Sequence, residues 1–138
     1  MEKNPTMMLV VAAALTNQDG DILLQKRPEG RSLAGLWEFP GGKVERGESP
    51  EMALVRELQE ELGIQIMPED LRPFAFASEV LGDRNLLLLL YICDRWQGEP
   101  QPLEAPEIRW VAPKAMHALP MPPADKPLVA ALENNRVG

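Results

Sequence analysis

One segment, residues 42–64 (GKVERGESPEMALVRELQEELGI), constrains the fold of this chain more than any other. Ser49 is a favourable helix N-cap, Pro50 fits the first helical position and Gly63 supplies a C-terminal stop. Four apolar residues between these signals recur at helical spacing: Leu54, Val55, Leu58 and Leu62. The segment therefore predicts a loop followed by an amphipathic helix that packs one face into a core.

Three glutamates share a second face of this helix. Glu57, Glu60 and Glu61 stand at i, i+3 and i+4, which places their carboxylates side by side. Like charges at this spacing destabilise an isolated helix by roughly 0.2–0.5 kcal/mol per pair. A divalent cation that prefers oxygen ligands would compensate, and Mg²⁺ held by carboxylates usually serves phosphate chemistry. Considered alone, the cluster is also compatible with a solvent-exposed acidic face.

Length and composition exclude several classes of protein. The 138 residues suffice for a single domain with a real core, and we expect one domain over residues 1–138. The net charge of −7 argues against a nucleic-acid polymer as partner, which would require a basic face. A polyphosphate substrate stays compatible, because bound cations would reverse the sign of the acidic site. The one cysteine, Cys93, lies in an apolar run and is expected to be a buried structural thiol.

The remaining pattern predicts strands mixed with a second helix. Apolar runs predict strands over 9–16, 22–27, 74–79, 86–94 and 107–111. Leu128, Val129 and Leu132 repeat at helical spacing, which predicts a helix over 125–134. A loop is expected over 28–37, and eight of the 14 prolines follow residue 98, so the C-terminal third should be rich in loops. This mixture indicates an α/β layered fold.

Two apolar segments superficially suggest membrane targeting. Residues 7–15 lack the charged cluster of a signal peptide and run into the turn signal of residues 17–20, which predicts a hairpin with the strand that follows. The apolar run 86–91 is far shorter than the roughly 20 residues needed to cross a bilayer. We therefore expect a cytoplasmic protein with no membrane partner.

The segment 42–64 resembles the Nudix signature, G-x(5)-E-x(7)-R-E-U-x-E-E-x-G-U, at every fixed position. The matching residues are Gly42, Glu48, Arg56, Glu57, Leu58, Glu60, Glu61, Gly63 and Ile64. The flanking segments 25–27, 35–42, 95–100 and 121–127 resemble the MutT group, which removes oxidised precursors from the nucleotide pool. The resemblance covers nearly the whole chain and implies the Nudix fold, a mixed β-sheet between α-helices.

The resemblance also implies a metal-dependent hydrolase, with Mg²⁺ as cofactor and Mn²⁺ as the alternative. Water would attack the β-phosphorus of a nucleoside triphosphate and release the monophosphate and pyrophosphate. The metal ligands that it implies are Glu57, Glu60, Glu61, Glu104 and the carbonyl of Gly42. One of the glutamates would also take the proton from water. Glu104 lies six residues before Trp110, as the matching glutamate does in the MutT group, and its alternative role is that of an ordinary loop residue.

Arg56 lies among the glutamates and is expected to pair with Glu48 or Glu57. In that position it would orient the metal ligands from outside the metal's own coordination sphere. Without the resemblance, the same residue would be interpreted as part of a surface ion pair.

Several residues around the signature could contact a nucleotide. Arg27 ends a predicted strand and could bind phosphate, or it could be a solvated strand end; Lys43 is a weaker candidate for the same contact. Phe39, Trp37 and Trp110 could border the nucleotide pocket, although aromatic residues in such positions more often serve packing.

Asp125 stands where the MutT-like segment usually carries an asparagine that reads oxidised guanine. An amide donates and accepts, whereas an ionised carboxylate only accepts. Oxidation at C8 turns guanine N7 into an N–H donor, but the neighbouring O6 acceptor would repel Asp125 unless it is protonated or turned away. Cytosine instead offers an N4 amine, which suits a carboxylate. Asp125 thus leaves a cytidine substrate open, and its alternative role is a helix N-cap.

These observations favour a nucleoside triphosphate pyrophosphohydrolase that converts 8-oxo-dGTP to 8-oxo-dGMP and pyrophosphate. One alternative is a CTP- or dCTP-type pyrophosphohydrolase of the same fold, and another is a Nudix domain that binds a nucleotide without cleaving it. The expected partner is a small nucleotide, and the sequence is compatible with a monomer or a homodimer. It leaves open the preferred base, the metal, the number of ions and the identity of the general base.

Overall fold

The described strands of this protein form two sheets, and the strands of one sheet are interleaved along the chain with those of the other. A computed structural model describes residues 6–134. These residues form seven strands, two α-helices and two 3₁₀ helices. The elements in chain order are β1 (Thr6–Leu15), β2 (Ile22–Lys26), β3 (Trp37–Glu38), β4 (Gly41–Lys43), α1 (Pro50–Leu62), a 3₁₀ helix (Pro68–Asp70), β5 (Arg72–Leu81), β6 (Arg84–Cys93), β7 (Ile108–Val111), a 3₁₀ helix (Pro113–Ala118) and α2 (Asp125–Asn134).

The larger sheet has four strands in the order β4-β1-β6-β5 and is mixed. Its central strands β1 and β6 run parallel over ten residue pairs, whereas β4 and β5 pair antiparallel with their neighbours. The smaller sheet has the order β3-β2-β7 and is antiparallel. The expected mixed sheet is confirmed, and the second sheet is an addition that the strand pattern did not predict.

Helices cover both faces of the mixed sheet. Side chains of β1 alternate between two cores: Val11, Ala13 and Leu15 pack with the apolar face of α1, while Ala12 and Ala14 pack with that of α2. A strand buried on both faces has a nearly continuous apolar sequence, which explains the run along β1. The predicted arrangement of a mixed sheet between helices is therefore confirmed.

Helix α1 begins and ends where its sequence signals lie. The Ser49 hydroxyl accepts a hydrogen bond from the Met52 N–H (3.1 Å), and Gly63 ends the helix in the left-handed conformation (φ 72°). Leu54, Leu58 and Leu62 are fully buried in the core shared with β1 and β6. This packing fixes the position of α1, and of the glutamates on its other face, relative to the sheet.

Three expectations about local structure need correction. The expected loop over 28–37 ends in the short strand β3, and the loop expected before α1 contains β4, because β2 and β1 supply hydrogen-bonding partners from elsewhere in the sequence. The predicted hairpin is wrong in part: the turn at residues 17–20 exists, but only the bridge Thr16–Ile22 joins the two strands. Beyond that bridge β1 pairs with β6 and β4, while β2 enters the smaller sheet.

The expectations for Cys93 and for the C-terminal third are confirmed. Cys93 is buried, its thiol lies 3.1 Å from the Arg95 carbonyl oxygen, and burial raises the pKa of the thiol. Between residue 99 and residue 134, the regular elements are β7, one 3₁₀ helix and α2. No helix within residues 6–134 has the length and apolar character needed to span a membrane.

Candidate active site

The carboxylate of Glu57 lies against the backbone of Gly42. A Cβ atom at residue 42 would lie 2.5 and 2.7 Å from the two carboxylate oxygens of Glu57, so any side chain there would force that carboxylate to move. The strand β4 and the helix α1 therefore meet at Gly42, and the Glu57 carboxylate occupies the space that a side chain at residue 42 would take. The sequence suggested that Gly42 is side-chain-free because its carbonyl binds metal; the structure gives a steric reason, and the carbonyl's role stays a prediction.

Glu61 is buried beside Glu57, one helical turn further along α1. Its Oε1 accepts hydrogen bonds from the side-chain amide of Gln25 (2.6 Å) and the backbone N–H of Gly41 (3.2 Å). Burial is the main cause that raises the pKa of Glu61, and the neighbouring Glu57 carboxylate raises it further. Among the described side chains, Gln25 Oε1 is a buried acceptor without a hydrogen-bond partner. This end of the site is therefore crowded with oxygen acceptors.

Arg56 connects the glutamates to the loop before the helix. Its Nε and Nη2 donate to the two carboxylate oxygens of Glu48 at 2.7 and 3.0 Å, and its Nη1 donates to Glu57 Oε2 at 3.0 Å. Nη2 also reaches the Lys43 carbonyl oxygen at 3.2 Å. These hydrogen bonds lower the pKa of Glu48 to about 2 and raise the pKa of Arg56. The expected pairing is confirmed for both Glu48 and Glu57.

The three glutamates of α1 do not lie equally close together. Glu57 and Glu61 lie together, with a side-chain exposure of 16% for Glu57, whereas the side chain of Glu60 is 51% exposed. Arg56 Nη1 draws the Glu60 carboxylate to 3.4 Å and keeps it at the rim. Within residues 6–134, no three acidic, histidine or cysteine side chains surround a common point. The preformed part of the site is therefore the pair of carboxylates of Glu57 and Glu61. Glu60 stays apart from Glu61, because Glu61 is buried whereas Glu60 is attracted to Arg56 at the rim.

Glu104 is exposed in the loop before β7. Its loop is nevertheless attached to the end of α1. The Gln101 N–H donates to the Leu62 carbonyl at 3.0 Å, and the Leu103 N–H donates to the Glu61 carbonyl at 3.1 Å. The backbone next to Glu104 thus lies at Glu61, and its role as a metal or water ligand stays a prediction.

Arg27 belongs to a second group of polar residues, at the end of β2. Its Nη1 donates to Glu38 Oε1 at 2.9 Å, and its Nε donates to the Ser32 carbonyl oxygen at 2.9 Å. Burial raises the pKa of Glu38, and the charge of Arg27 offsets part of that effect. The alternative of a solvated strand end is wrong, because Arg27 ties the loop 28–36 to β3. A phosphate contact from Arg27 stays a prediction.

Asp125 is buried at the start of α2 and points to the chain segment that precedes the signature. Its Oδ2 accepts a hydrogen bond from the Phe39 N–H at 3.4 Å rather than capping its own helix. Burial, followed by the charge of Glu38, raises the pKa of Asp125 to about 7; the charge of Glu79 acts in the same direction. The ring of Phe39 is buried in the core on the α2 side, so the contact that Phe39 makes with this group is through its backbone.

The three tryptophans make packing contacts. Trp96 and Trp110 stack with their ring centroids 6.1 Å apart, and the buried ring of Trp37 lies 4.7 Å from the guanidinium of Arg109. The single histidine, His117, pairs with Glu133 on the surface at 2.6 Å. These contacts support a packing role for Trp37 and Trp110.

Three residues near the predicted site were missed by the sequence analysis. Gln25 and Gly41 donate to Glu61, and Glu38 lies between Arg27 and Asp125. Gln25 carries a detectable signal, since it is a polar residue at the end of the buried run of β2. The contacts of Gly41 and Glu38 depend on the approach of α1 and α2, which no local pattern encodes.

Comparison with known proteins agrees with this geometry. The NUDIX domain family matches residues 6–132. The chain is 36% identical to the 8-oxo-dGTP diphosphatase of Escherichia coli (strain K12) over 124 residues, which cover 90% of this chain and 95% of the relative. It is 40% identical to the CTP pyrophosphohydrolase of the same organism, with 90% of each chain covered. The solution structure of the E. coli ORF135 protein superposes with a TM-score of 0.85 at 39% identity and covers 96% of this chain and 92% of that one. The chain therefore belongs to the Nudix hydrolase family.

Proposed function

We propose that this Nudix hydrolase cleaves 8-oxo-dGTP with water to 8-oxo-dGMP and pyrophosphate. The relatives named 8-oxo-dGTP diphosphatase support this class of reaction over nearly the full length of the chain. The choice of base depends on one observation in this chain, the buried Asp125 carboxyl that accepts a hydrogen bond from Phe39.

The donor set on α1 suits a hard divalent cation, and we propose Mg²⁺. Two carboxylates that lie against each other repel when both are charged, and oxygen ligands of this kind are those that Mg²⁺ prefers. Glu57, Glu61 and the Gly42 carbonyl would hold the metal, with Glu60 and Glu104 completing the set from the rim and the loop. When bound, the metal would neutralise phosphate charge and favour attack by water.

The chain's own residues position this chemistry. Arg56 uses Glu48 as an anchor and holds Glu57 by a third hydrogen bond, so Glu57 keeps one orientation against Gly42. Gln25 and the Gly41 N–H fix Glu61 in the same way. Glu60 and Glu104 are the solvent-accessible carboxylates of the set, which suits them to accept the proton of the attacking water.

Asp125 would distinguish the oxidised base through its protonated form. With a pKa of about 7, the carboxyl carries a proton in about half of the molecules at neutral pH. A protonated carboxyl donates and accepts, as an amide does. It would donate to O6 of the oxidised guanine and accept from its N7–H. Unoxidised guanine presents acceptors at both positions, so it would leave the Asp125 acceptor without a partner.

The identity of 40% to a CTP pyrophosphohydrolase favours a second candidate, a cytidine triphosphate substrate. In that case the ionised form of Asp125 would accept from the N4 amine of cytosine. The two candidates use opposite protonation states of one residue. The kcat/KM values for the two substrates should therefore change with pH in opposite directions.

Product analysis tests whether the chain is a pyrophosphohydrolase. The protein is incubated with 8-oxo-dGTP and Mg²⁺, or with EDTA, and nucleotides and pyrophosphate are quantified. We expect equal amounts of 8-oxo-dGMP and pyrophosphate with Mg²⁺ and none with EDTA, and a Glu57→Gln preparation controls for contaminating enzymes. Tight binding of the nucleotide without turnover would identify a regulatory binding domain instead, and release of a diphosphate with inorganic phosphate would exclude this reaction class.

A further inference from the structure

Strand β5 (Arg72–Leu81) forms one edge of the mixed sheet. Among residues 6–134, no strand pairs with its outer side, and six of its ten residues are exposed. A long unpaired edge of this kind presents backbone N–H and C=O groups to any strand that can align with it. Natural proteins usually interrupt such edges with charges, proline or a bulge; in β5 these features lie towards the ends, and residues 75–78 carry none of them.

Apolar side chains accompany this edge. Phe76 is 67% exposed and Val80 is 72% exposed. Phe76 pairs with Leu89 of β6, which packs against the core on the α1 side, whereas Phe76 itself is not part of that core. Exposed aromatic and branched side chains next to an open strand edge are typical of an interaction surface.

Two charged residues of this edge lie at equal distances on either side of Phe76, although their spacing in the sequence is unequal. Phe76 pairs with Leu89, Arg72 with Ile92 and Glu79 with Leu86. Counted along β6, Arg72 thus lies three positions on one side of Phe76, and Glu79 lies three positions on the other. The register shift between Pro73 and Ala75 brings Arg72 and Glu79 to the same face of the sheet. Without that bulge, the two charges would point to opposite faces.

We propose that β5 pairs antiparallel with β5 of a second copy of this chain, about a two-fold axis at Phe76. In this register Phe76 meets Phe76 of the second copy, and Arg72 lies opposite Glu79 at both ends. A two-fold axis perpendicular to the sheet keeps each residue on its own face, so both ion pairs form on one side and the aromatic pair on the other. Cross-strand aromatic and opposite-charge pairs are each stabilising in antiparallel sheets.

A second copy is the occupant that the charges favour. Any other strand would have to supply an acid opposite Arg72 and a base opposite Glu79 at this spacing, whereas the chain itself already carries both. Because Pro73 has no N–H, the backbone bonds come mainly from Ala75 to Ser78 in each copy. Such a contact is smaller than a standard protein interface, so we expect weak association, in the range of about 1 μM to about 1 mM.

Sedimentation equilibrium of the full chain tests this dimer with a charge swap. We expect a concentration-dependent dimer whose dissociation constant rises at least about tenfold in Arg72→Glu or Glu79→Arg, because each places like charges opposite each other. The double variant R72E/E79R should restore the wild-type constant. Arg46→Glu makes the same charge change beyond β4, at the opposite edge of the sheet, and should leave the constant unchanged.

Circular dichroism checks that each variant is folded; residues 46 and 72 are exposed and residue 79 is partly exposed. A protein that stays monomeric up to about 1 mM would overturn the proposal, since that concentration exceeds the expected range. So would a dimer that persists unchanged in both single variants, or one that the double variant fails to restore. None of these outcomes depends on the enzymatic activity.

Discussion

At the scale of single residues, Asp125 is the side chain whose chemistry depends most on its surroundings. Its carboxyl is removed from water, faces the negative charges of Glu38 and Glu79, and receives one hydrogen bond from Phe39. Sequence alone placed it next to the base but left its protonation state open. That state depends on three elements that meet only in the folded chain, so no local pattern could have predicted it.

The pH dependence of base preference should follow from this protonation. We expect the ratio of kcat/KM for 8-oxo-dGTP to that for dCTP to fall between pH 6 and pH 8.5, as Asp125 loses its proton through a pKa of about 7. Asp125→Asn keeps a neutral donor and acceptor, so its ratio should be independent of pH. Asp125→Ala should reduce the preference for 8-oxo-dGTP over dGTP. A ratio that changes with pH in Asp125→Asn as it does in the wild type would contradict this assignment.

The glutamates on α1 give a second prediction at this scale. Replacing Glu57 or Glu61 with Gln removes one negative charge from the cation site and should lower turnover by about 100-fold or more. Stability without metal should stay the same or rise, because the change relieves a like-charge contact. Steady-state kinetics and thermal unfolding in EDTA check the two parts. Near-normal Mg²⁺-dependent turnover in both variants would exclude these residues as ligands.

At the scale of secondary-structure elements, the two helices and the five longer strands were predictable from the sequence, whereas the short strands β3 and β4 were not. Ser49, Pro50 and Gly63 fix α1 by local chemistry, and the structure begins and ends it at those residues. In contrast, β3 and β4 are two and three residues long and exist because β2 and β1 pair with them. The turn at residues 17–20 was also recognisable, but the separation of β1 from β2 follows from the pairing of β1 with β6. Long-range pairing is therefore the information that the sequence pattern lacks.

The loop that carries Glu104 gives a prediction at the scale of an element. It is hydrogen-bonded to the last turn of α1, where the Leu103 N–H donates to the Glu61 carbonyl oxygen. If its carboxylate acts in the transition state, Glu104→Gln should lower kcat with little change in KM. Glu99→Gln, an exposed carboxylate that precedes the loop, is the matched control. An unchanged kcat would assign Glu104 to the loop as an ordinary surface residue.

At the scale of the whole molecule, the buried Asp125 should make stability depend on pH. Its pKa rises from an unfolded value near 3.8 to about 7, so between these values the native state binds more protons than the unfolded state. The free energy of unfolding should therefore fall as pH rises through this window, with a slope from this group of up to about 1.4 kcal/mol per pH unit. Asp125→Asn removes that contribution and should be more stable than the wild type at pH 8.

Urea unfolding of the wild type and Asp125→Asn at pH 5 and pH 8 measures this effect. The exposed carboxylate of Glu69 serves as the control, and Glu69→Gln should follow the wild type at both pH values. If the difference between Asp125→Asn and the wild type is the same at both pH values, Asp125 is not the group responsible.

The central claim is that this Nudix hydrolase selects the oxidised purine, and a side-by-side measurement of kcat/KM tests it most directly. The substrates are 8-oxo-dGTP, dGTP, dCTP and 5-methyl-dCTP, each assayed at pH 7 with Mg²⁺ and with EDTA. We predict that 8-oxo-dGTP exceeds dGTP by at least about tenfold, equivalent to about 1.4 kcal/mol, and also exceeds both cytosine nucleotides. A higher kcat/KM for dCTP or 5-methyl-dCTP than for 8-oxo-dGTP would contradict the claim and identify the cytidine-type enzyme instead.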